Sequence, residues 1–212
     1  MNKGTLVAIC GYGPTPPPAQ DWAHDLKGDA HEIEGMLSFH ESHGCPIVVL
    51  SPSDAPIVTM GPHHCRQAGK RGYIGHESLY RQRDFLKILL SYPPELEWFL
   101  MHDSDSVCIL SEIPQYLYED KKTIWSNELE EPRPHKSPLP KIAMQPPYFF
   151  SREALGLMLS IADRIVVHPI TPYVDHYMLQ LACEAGLEHK DYPKEFMIHP
   201  ASRDTLKTRF NL

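Results

Sequence analysis

The sequence predicts an α/β fold in which a mixed, mainly parallel sheet is flanked by helices within a single domain. Short apolar runs of strand length alternate along the chain with longer segments of helical spacing. The 212 residues are 42% hydrophobic and 22% charged, which is the composition of an ordinary globular domain. We find no internal repeat and no clear boundary between two domains.

Four apolar runs are predicted to be buried strands because they are short and bounded by turn-forming residues. They are Thr5–Ile9, Pro46–Leu50, Glu97–Met101 and Arg164–Val167. The polar stretch from Ser126 to Lys141 contains four prolines and is predicted to be a mobile loop.

Four segments have the apolar spacing or the end signals of helices, and these helices are expected to flank the sheet. The strongest pattern places leucines on one broad face and stops at a pair of prolines. The first predicted helix covers 31–42 and is ended by Gly44, and the second covers 76–90. The third is capped by Ser151. The fourth begins at Thr171-Pro172 and ends at Gly186.

Composition also excludes several classes of protein. The formal net charge of -7 disfavours a general binder of nucleic-acid backbones, which needs a basic surface. The five cysteines are odd in number and form no CxxC pair, which indicates neither a disulfide framework nor a zinc ribbon. The sequence shows no leader peptide and no span of membrane length. We therefore expect a cytoplasmic protein.

Two carboxylates, Asp103 and Asp105, directly follow the third apolar run. If the strand continues through them, alternation points both to the same side. Ligands of open α/β sheets bind at the carboxyl ends of strands, and paired carboxylates suit Mg²⁺ or Mn²⁺ with diphosphate oxygens and water as further ligands. The alternative is that the acidic residues only form a turn.

A third carboxylate, Asp175, is expected in the first turn of the last predicted helix. The positive end of the helix dipole favours its ionised form. An ionised carboxylate beside a hydroxyl could remove the proton as that hydroxyl attacks. Alternatively, Asp175 only complements the helix terminus.

The order of these features resembles the GT-A glycosyltransferases. The stretch His76–Cys108 is similar to their helix, apolar strand and DxD motif. Tyr148–Leu155 resembles the acceptor-side segment in which an aromatic strand meets a helix, and Tyr173–His176 is similar to the acidic catalytic-base motif. His199 matches the late metal-binding histidine. Many inverting members carry Glu where this chain has Val174.

The resemblance implies a metal-dependent enzyme that moves a hexose or pentose from a nucleotide-sugar, UDP-linked by default, to an acceptor hydroxyl with inversion. Asp103, Asp105 and His199 would hold Mn²⁺ or Mg²⁺, and Asp175 would be the base. Residues 1–108 would bind the nucleotide-sugar and residues 109–212 the acceptor, which could be a glycan, a small molecule, a protein or a hydroxylated DNA base.

Further residues are candidates for nucleotide contacts. Gly11 and Tyr12 follow the first strand, where the superfamily places nucleoside contacts, and glycine permits close backbone approach. Asp54 follows the second strand and could accept a hydrogen bond from a uracil or ribose. A basic group before the main helix could meet diphosphate oxygens, or could simply be a solvated loop: Arg66, Lys70 and Arg71.

Three alternatives remain open from sequence. The run from Asp103 to Val107 also satisfies the DxDx[TV] motif of haloacid dehalogenase-like phosphotransferases, with Asp103 as nucleophile. About half the chain precedes this motif, however, and no later GDxxxD pair follows it. A non-catalytic nucleotide-sugar-binding protein would need no base. A nucleotidyltransferase would need a glycine-rich phosphate loop with signature Lys and Arg, which we do not find near the N-terminus.

Overall fold

The computed structural model describes residues 4–10, 46–51, 64–67, 76–103, 107–108, 113–130, 142–165, 174–192 and 197–198. The helix predicted at 31–42 lies outside these residues. The strands are β1 (Thr5–Cys10), β2 (Ile47–Ser51), β3 (His64–Gln67), β4 (Trp98–Asp103), β5 (Val107–Cys108), β6 (Thr123–Glu130), β7 (Ile142–Ser151), β8 (Glu188–Asp191) and β9 (Met197–Ile198). The helices are α1 (His76–Leu90), α2 (Arg152–Ala162) and α3 (Val174–Glu184), with a 3-10 helix at Gln115–Tyr118.

Within the described residues, seven strands form one sheet in the order β3-β2-β1-β4-β7-β6-β8. The strands β1 to β4 run parallel to one another, as do β6 and β8. Strand β7 is antiparallel to both of its neighbours, β4 and β6. Strands β5 and β9 pair separately as an antiparallel ribbon. This topology confirms the predicted mixed, mainly parallel sheet.

The two faces of the sheet are covered differently. The side chains of Phe99 and Met101 belong to the core beneath the helices, whereas the alternating Trp98 points to the opposite face. There Trp98 stacks on Phe149 with ring centroids 5.2 Å apart, and Tyr118 of the 3-10 helix packs edge-on against both rings. Aromatic burial on both faces therefore fixes the position of β4.

The three described helices bury most of their predicted apolar stripes against the same face of the sheet, although Leu90, predicted on the leucine face of α1, is exposed. The helix over 76–90 has the predicted bounds. As predicted, Gly186 ends α3; its φ is 71°, a backbone conformation that glycine adopts without strain. The buried apolar residues of these three helices are Leu79, Phe85, Leu86, Leu89, Ala154, Leu155, Met158, Ala162, Tyr177, Met178, Leu179, Leu181 and Ala182.

The junction between β7 and α2 joins distant parts of the chain. The hydroxyl of Ser151 accepts a hydrogen bond from the Ala154 amide at 3.0 Å, which confirms the predicted cap, and donates to the Lys121 carbonyl at 2.6 Å. The next residue, Arg152, crosses to the segment between α1 and β4. Its guanidinium donates to four backbone carbonyls at 2.7 to 3.0 Å, those of Leu90, Tyr92, Pro93 and Leu96.

Two predicted elements are wrong in their described parts, 164–165 of the strand and 126–130 of the loop; residues 131–141 lie outside the described residues. The predicted strand at 164–167 does not begin at Arg164, which lies in a turn after α2, nor at Ile165, which has no regular structure. Residues 166 and 167 lie outside the described residues. The apolar side chain of Ile165, which suggested a strand, is instead buried against the helical core. The predicted loop at 126–141 is instead strand as far as Glu130, because pairing with β7 satisfies the backbone whatever the side-chain polarity.

We expect Arg152→Met to lower the free energy of unfolding by about 2–3 kcal/mol, because methionine fills similar space but leaves the four carbonyls without their charged donor. Denaturant unfolding measures this loss. The matched control is Arg164→Met, since the exposed Arg164 bonds one carbonyl within its own helix end. Equal effects of the two substitutions would contradict the role given to Arg152.

A second prediction concerns Tyr177 on α3. Burial raises the pKa of its phenol to about 12 from an ordinary value of 10.0. Because the folded-state pKa is the higher one, its contribution to stability is complete below pH 10 and is lost as the pH rises toward 12. Denaturant unfolding across this window should show that loss, and Tyr177→Phe should reduce it. The exposed Tyr116→Phe is the control and should leave the wild-type slope unchanged.

Candidate active site

The carboxyl ends of four neighbouring strands meet at one edge of the sheet. Cys10 at the end of β1 pairs in register with Asp103 at the end of β4 and with Leu50 of β2. Leu50 pairs in turn with Arg66 of β3. Because all four strands are parallel, the loops that leave them share this edge, where ligands of open α/β sheets bind.

Strand β4 stays buried until it reaches the edge. Its residues Met101 and His102 are at most 1% exposed, and Asp103 follows directly as the last residue of the strand. The structure describes the backbone of Asp103 and places it level with Cys10. The apolar sequence thus brings the backbone of Asp103 to the carboxyl end of the central strand.

Strand β7 brings its amino-terminal half to the same edge because it runs antiparallel to β4. Tyr148 pairs with Met101, so the residues before Tyr148 lie on the Asp103 side of that pair. They include a cis peptide bond between Pro146 and Pro147. Tyr148 is 2% exposed, and its phenol donates to the Met144 carbonyl at 3.0 Å. The edge therefore continues from β4 onto β7.

Asp175 lies in the first turn of α3, and its side chain reaches β7. The phenol oxygen of Tyr148 also lies within hydrogen-bonding distance of Asp175 Oδ1, at 3.4 Å, and Tyr148 itself pairs with Met101. Two residues of strand, about 7 Å, separate Met101 from Asp103. The partly buried Asp175 is thus tied to the sheet close to the edge where β4 ends.

The ribbon of β5 and β9 joins two predicted metal-binding segments. Val107 pairs with Ile198 and Cys108 with Met197. Val107 is two residues after Asp105 in the sequence, and Ile198 is the residue before His199. Both predicted ligands themselves lie outside the described residues. The pairing nevertheless brings the strand that follows Asp105 in the sequence next to the strand that precedes His199.

The remaining predicted nucleotide contacts are mostly not placed. Arg66 belongs to β3, and the structure describes its backbone alone. Five others lie outside the described residues: Gly11, Tyr12, Asp54, Lys70 and Arg71. Among the described residues, no group of three histidines, cysteines or carboxylates could by itself hold a metal ion.

A buried amide beneath the edge escaped prediction. Gln82 of α1 is 5% exposed, and its side-chain nitrogen lies 3.6 Å from the sulfur of Met101 and 3.4 Å from that of Met178. It links α1, β4 and α3 just below the Asp103 end of the strand. A signal existed in the sequence, because Gln82 stands at helical spacing between Leu79 and Leu86 on the apolar face.

Shifted acid–base groups also occur away from the edge. The hydrogen bond from Thr123 holds the pKa of Asp120 below its ordinary value, and the hydrogen bond with Glu188 raises the pKa of Lys190. The ammonium of Lys190 lies 3.3 Å from Asp120 and 2.9 Å from Glu188. These shifts belong to ion pairs that join the start of β6 to β8, rather than to the site at Asp103.

Within the part of the chain that the structure describes, none of the helices has the length and hydropathy needed to cross a membrane.

Comparisons with known proteins identify the fold. No protein-family model matches the sequence, and no curated protein matches it. A 4-diphosphocytidyl-2C-methyl-D-erythritol synthase from Anaerococcus prevotii superposes with a TM-score of 0.56 at 13% identity, covering 98% of this chain and 93% of that one. A 2-C-methyl-D-erythritol 4-phosphate cytidylyltransferase from Francisella tularensis gives a TM-score of 0.50 at 10% identity, with 97% and 98% covered.

A third similar structure comes from Desulfovibrio desulfuricans and is assigned as a nucleotide-diphospho-sugar transferase. Its TM-score is 0.50 at 13% identity, and the match covers 90% of this chain and 80% of that one. Identities this low show a common fold. The chain therefore has the fold of the nucleotide-diphospho-sugar transferases, which confirms the predicted GT-A, Rossmann-like architecture.

Proposed function

We propose that this protein is a metal-dependent glycosyltransferase that moves a hexose or pentose from a UDP-linked donor to an acceptor hydroxyl with inversion. One observation carries the proposal. The edge at which β4 ends in Asp103 also receives the first turn of α3, whose Asp175 is tied to β7 opposite Met101. Asp103 and the candidate base Asp175 thus come to one edge of the sheet although 72 residues separate them in the sequence.

The donor half of the site would be built on Asp103, Asp105 and His199. Their carboxylate oxygens and imidazole fit Mn²⁺ better than Mg²⁺, because imidazole prefers the softer ion. The pairing of Val107 with Ile198 supports this grouping, since it joins the chain segments next to Asp105 and His199. A divalent ion held there would supply positive charge against the departing diphosphate.

The nucleotide would lie across the ends of β1 to β3. Gly11 and Tyr12 immediately follow Cys10, whose pairing with Asp103 supports a nucleoside site beside the carboxylates. Asp54 would accept a hydrogen bond from the uracil or ribose. The basic residues that would contact the diphosphate are Arg66, Lys70 and Arg71, and the pairing of Arg66 with Leu50 supports this position.

Asp175 would act on the acceptor. Its carboxylate takes the proton of the acceptor hydroxyl as that oxygen forms a bond to the anomeric carbon. The bond from the anomeric carbon to the diphosphate oxygen breaks on the opposite side, and the nucleoside diphosphate leaves with the bonding electrons. The position of Asp175 in a first helical turn supports this role, because the helix dipole favours the ionised form.

Nucleotidyl transfer is the second candidate, and the fold likeness to two cytidylyltransferases favours it. It would consume a nucleoside triphosphate and release pyrophosphate, whereas glycosyl transfer consumes a nucleotide-sugar and releases a nucleoside diphosphate. The two reactions are therefore separated by their substrates and products.

A thermal-shift screen with nucleotides, nucleotide-sugars and Mn²⁺ tests the donor half. We expect a UDP-sugar to raise the melting temperature when Mn²⁺ is present and to lose most of that effect in EDTA. Asp103→Asn should abolish the metal-dependent part, whereas Glu119→Gln, an exposed carboxylate outside the edge, should keep it. Stabilisation by CTP together with pyrophosphate release would instead support nucleotidyl transfer.

Replacing the proposed base tests the acceptor half. We expect Asp175→Asn to lower turnover by about 10²- to 10⁴-fold, the usual contribution of a general base, while donor affinity is retained. Steady-state rates and calorimetric titration of the donor measure the two effects. Glu153→Gln removes an exposed first-turn carboxylate from α2 and should leave turnover unchanged. An unaffected rate in Asp175→Asn would contradict the assignment of the base.

A further inference from the structure

The phenol of Tyr148 stands between two acceptors at the edge of the sheet. Its oxygen lies 3.0 Å from the backbone carbonyl of Met144 and 3.4 Å from Oδ1 of Asp175. The ring is 2% exposed and belongs to the core beneath the helices, so packing fixes the position of this oxygen. Asp175 is partly buried and lies in the first turn of α3.

A phenol carries one hydrogen, which it can donate to one strong acceptor at a time, and its oxygen can also accept. When Asp175 is ionised, the carboxylate is the stronger acceptor of the two. When Asp175 is protonated, it becomes a donor. The phenol can then accept from it and turn its own hydrogen to the Met144 carbonyl. Hydrogen bonds among Tyr148, Asp175 and the Met144 carbonyl can therefore form whether Asp175 is ionised or protonated.

We propose that Tyr148 is a positioning residue for Asp175, holding its carboxyl group in one place both before and after it takes the proton of the acceptor hydroxyl. The inference rests on the proposed function and extends it. Tyr148 touches neither reacting atom in this scheme; it acts through Asp175. The distance of 3.4 Å is that of the free protein, and hydrogen bonds of catalytic groups commonly shorten when substrate binds.

Position in the fold explains why a tyrosine suits this role. Tyr148 pairs with Met101, so its backbone is fixed by the same register that places Asp103. The phenol therefore ties the first turn of α3 to the strand beside the proposed donor site. A shift of α3 along the sheet would move Asp175 away from the acceptor, and the bond to Tyr148 opposes that shift.

The elements packed against α3 carry other ionisable groups that face it. Arg83 and Asp84 of α1, and Asp163 after α2, act electrostatically on Tyr177. His176 neighbours Asp175 within α3, and His189 lies on β8. Because Tyr148→Phe leaves all of these groups in place, a change in the titration of Asp175 in that variant reports the lost phenol.

The test is the pKa of Asp175, followed by NMR of its carboxyl carbon in the full-length wild type and in Tyr148→Phe. We expect the pKa to rise by about half a unit to one unit, because the ionised form loses a donor. A fluorinated tyrosine at position 148, which is a stronger donor, should move the pKa in the opposite direction. Tyr118→Phe removes a buried phenol from the other face of the sheet and should have no effect.

Activity gives the second reading. In Tyr148→Phe, kcat should fall roughly tenfold, which is less than the fall expected on loss of the base itself, and the KM for the donor should not change. Because the pKa of Asp175 rises, the acidic limb of the pH profile should move to higher pH. An unchanged pKa of Asp175 in both Tyr148 variants would overturn the inference. If the pKa moves as expected but no sugar transfer occurs with any donor, the coupling stands and the proposed function fails.

Discussion

The pairing of β4 with two different neighbours is the constraint on which the rest of the structure depends. On one side β4 is parallel to β1, which aligns Asp103 with Cys10; on the other it is antiparallel to β7, which aligns Met101 with Tyr148. A register change of one residue would turn Phe99 and Met101 away from the helical core and expose apolar surface. Burial of β4 on both faces therefore determines where the backbone of its last residue, Asp103, lies.

Contacts away from the edge hold the helices in the matching position. Arg152 ties the start of α2 to the segment that leads from α1 into β4, and Gln82 links α1 to Met101 and Met178 beneath the edge. The helix that carries Asp175 is thus located by core packing as well as by Tyr148. Such preorganisation favours catalysis, because groups already in place need little rearrangement during the reaction.

The sequence predicted the elements whose side chains decide their structure. The apolar β4, the helix at His76–Leu90 and the Ser151 cap follow from burial periodicity and local hydrogen bonding, and the structure confirms them. Strands β3, β6 and β8 were missed because most of their residues are polar and because they are held by backbone pairing with neighbours distant in the sequence. For the same reason the contact between Tyr148 and Asp175 gave no local signal: it depends on the register of β7 and on the placement of α3.

The most direct test of the central claim is paramagnetic broadening of backbone amide signals by substoichiometric Mn²⁺. The account predicts strong, nucleotide-enhanced broadening at Cys10 and Asp103. Much weaker broadening is expected at Thr5 and Trp98, which pair with each other at the opposite ends of β1 and β4, about 16 Å away. Broadening that is absent at Asp103, or as strong at Trp98, would contradict a metal site at the carboxyl edge of β4.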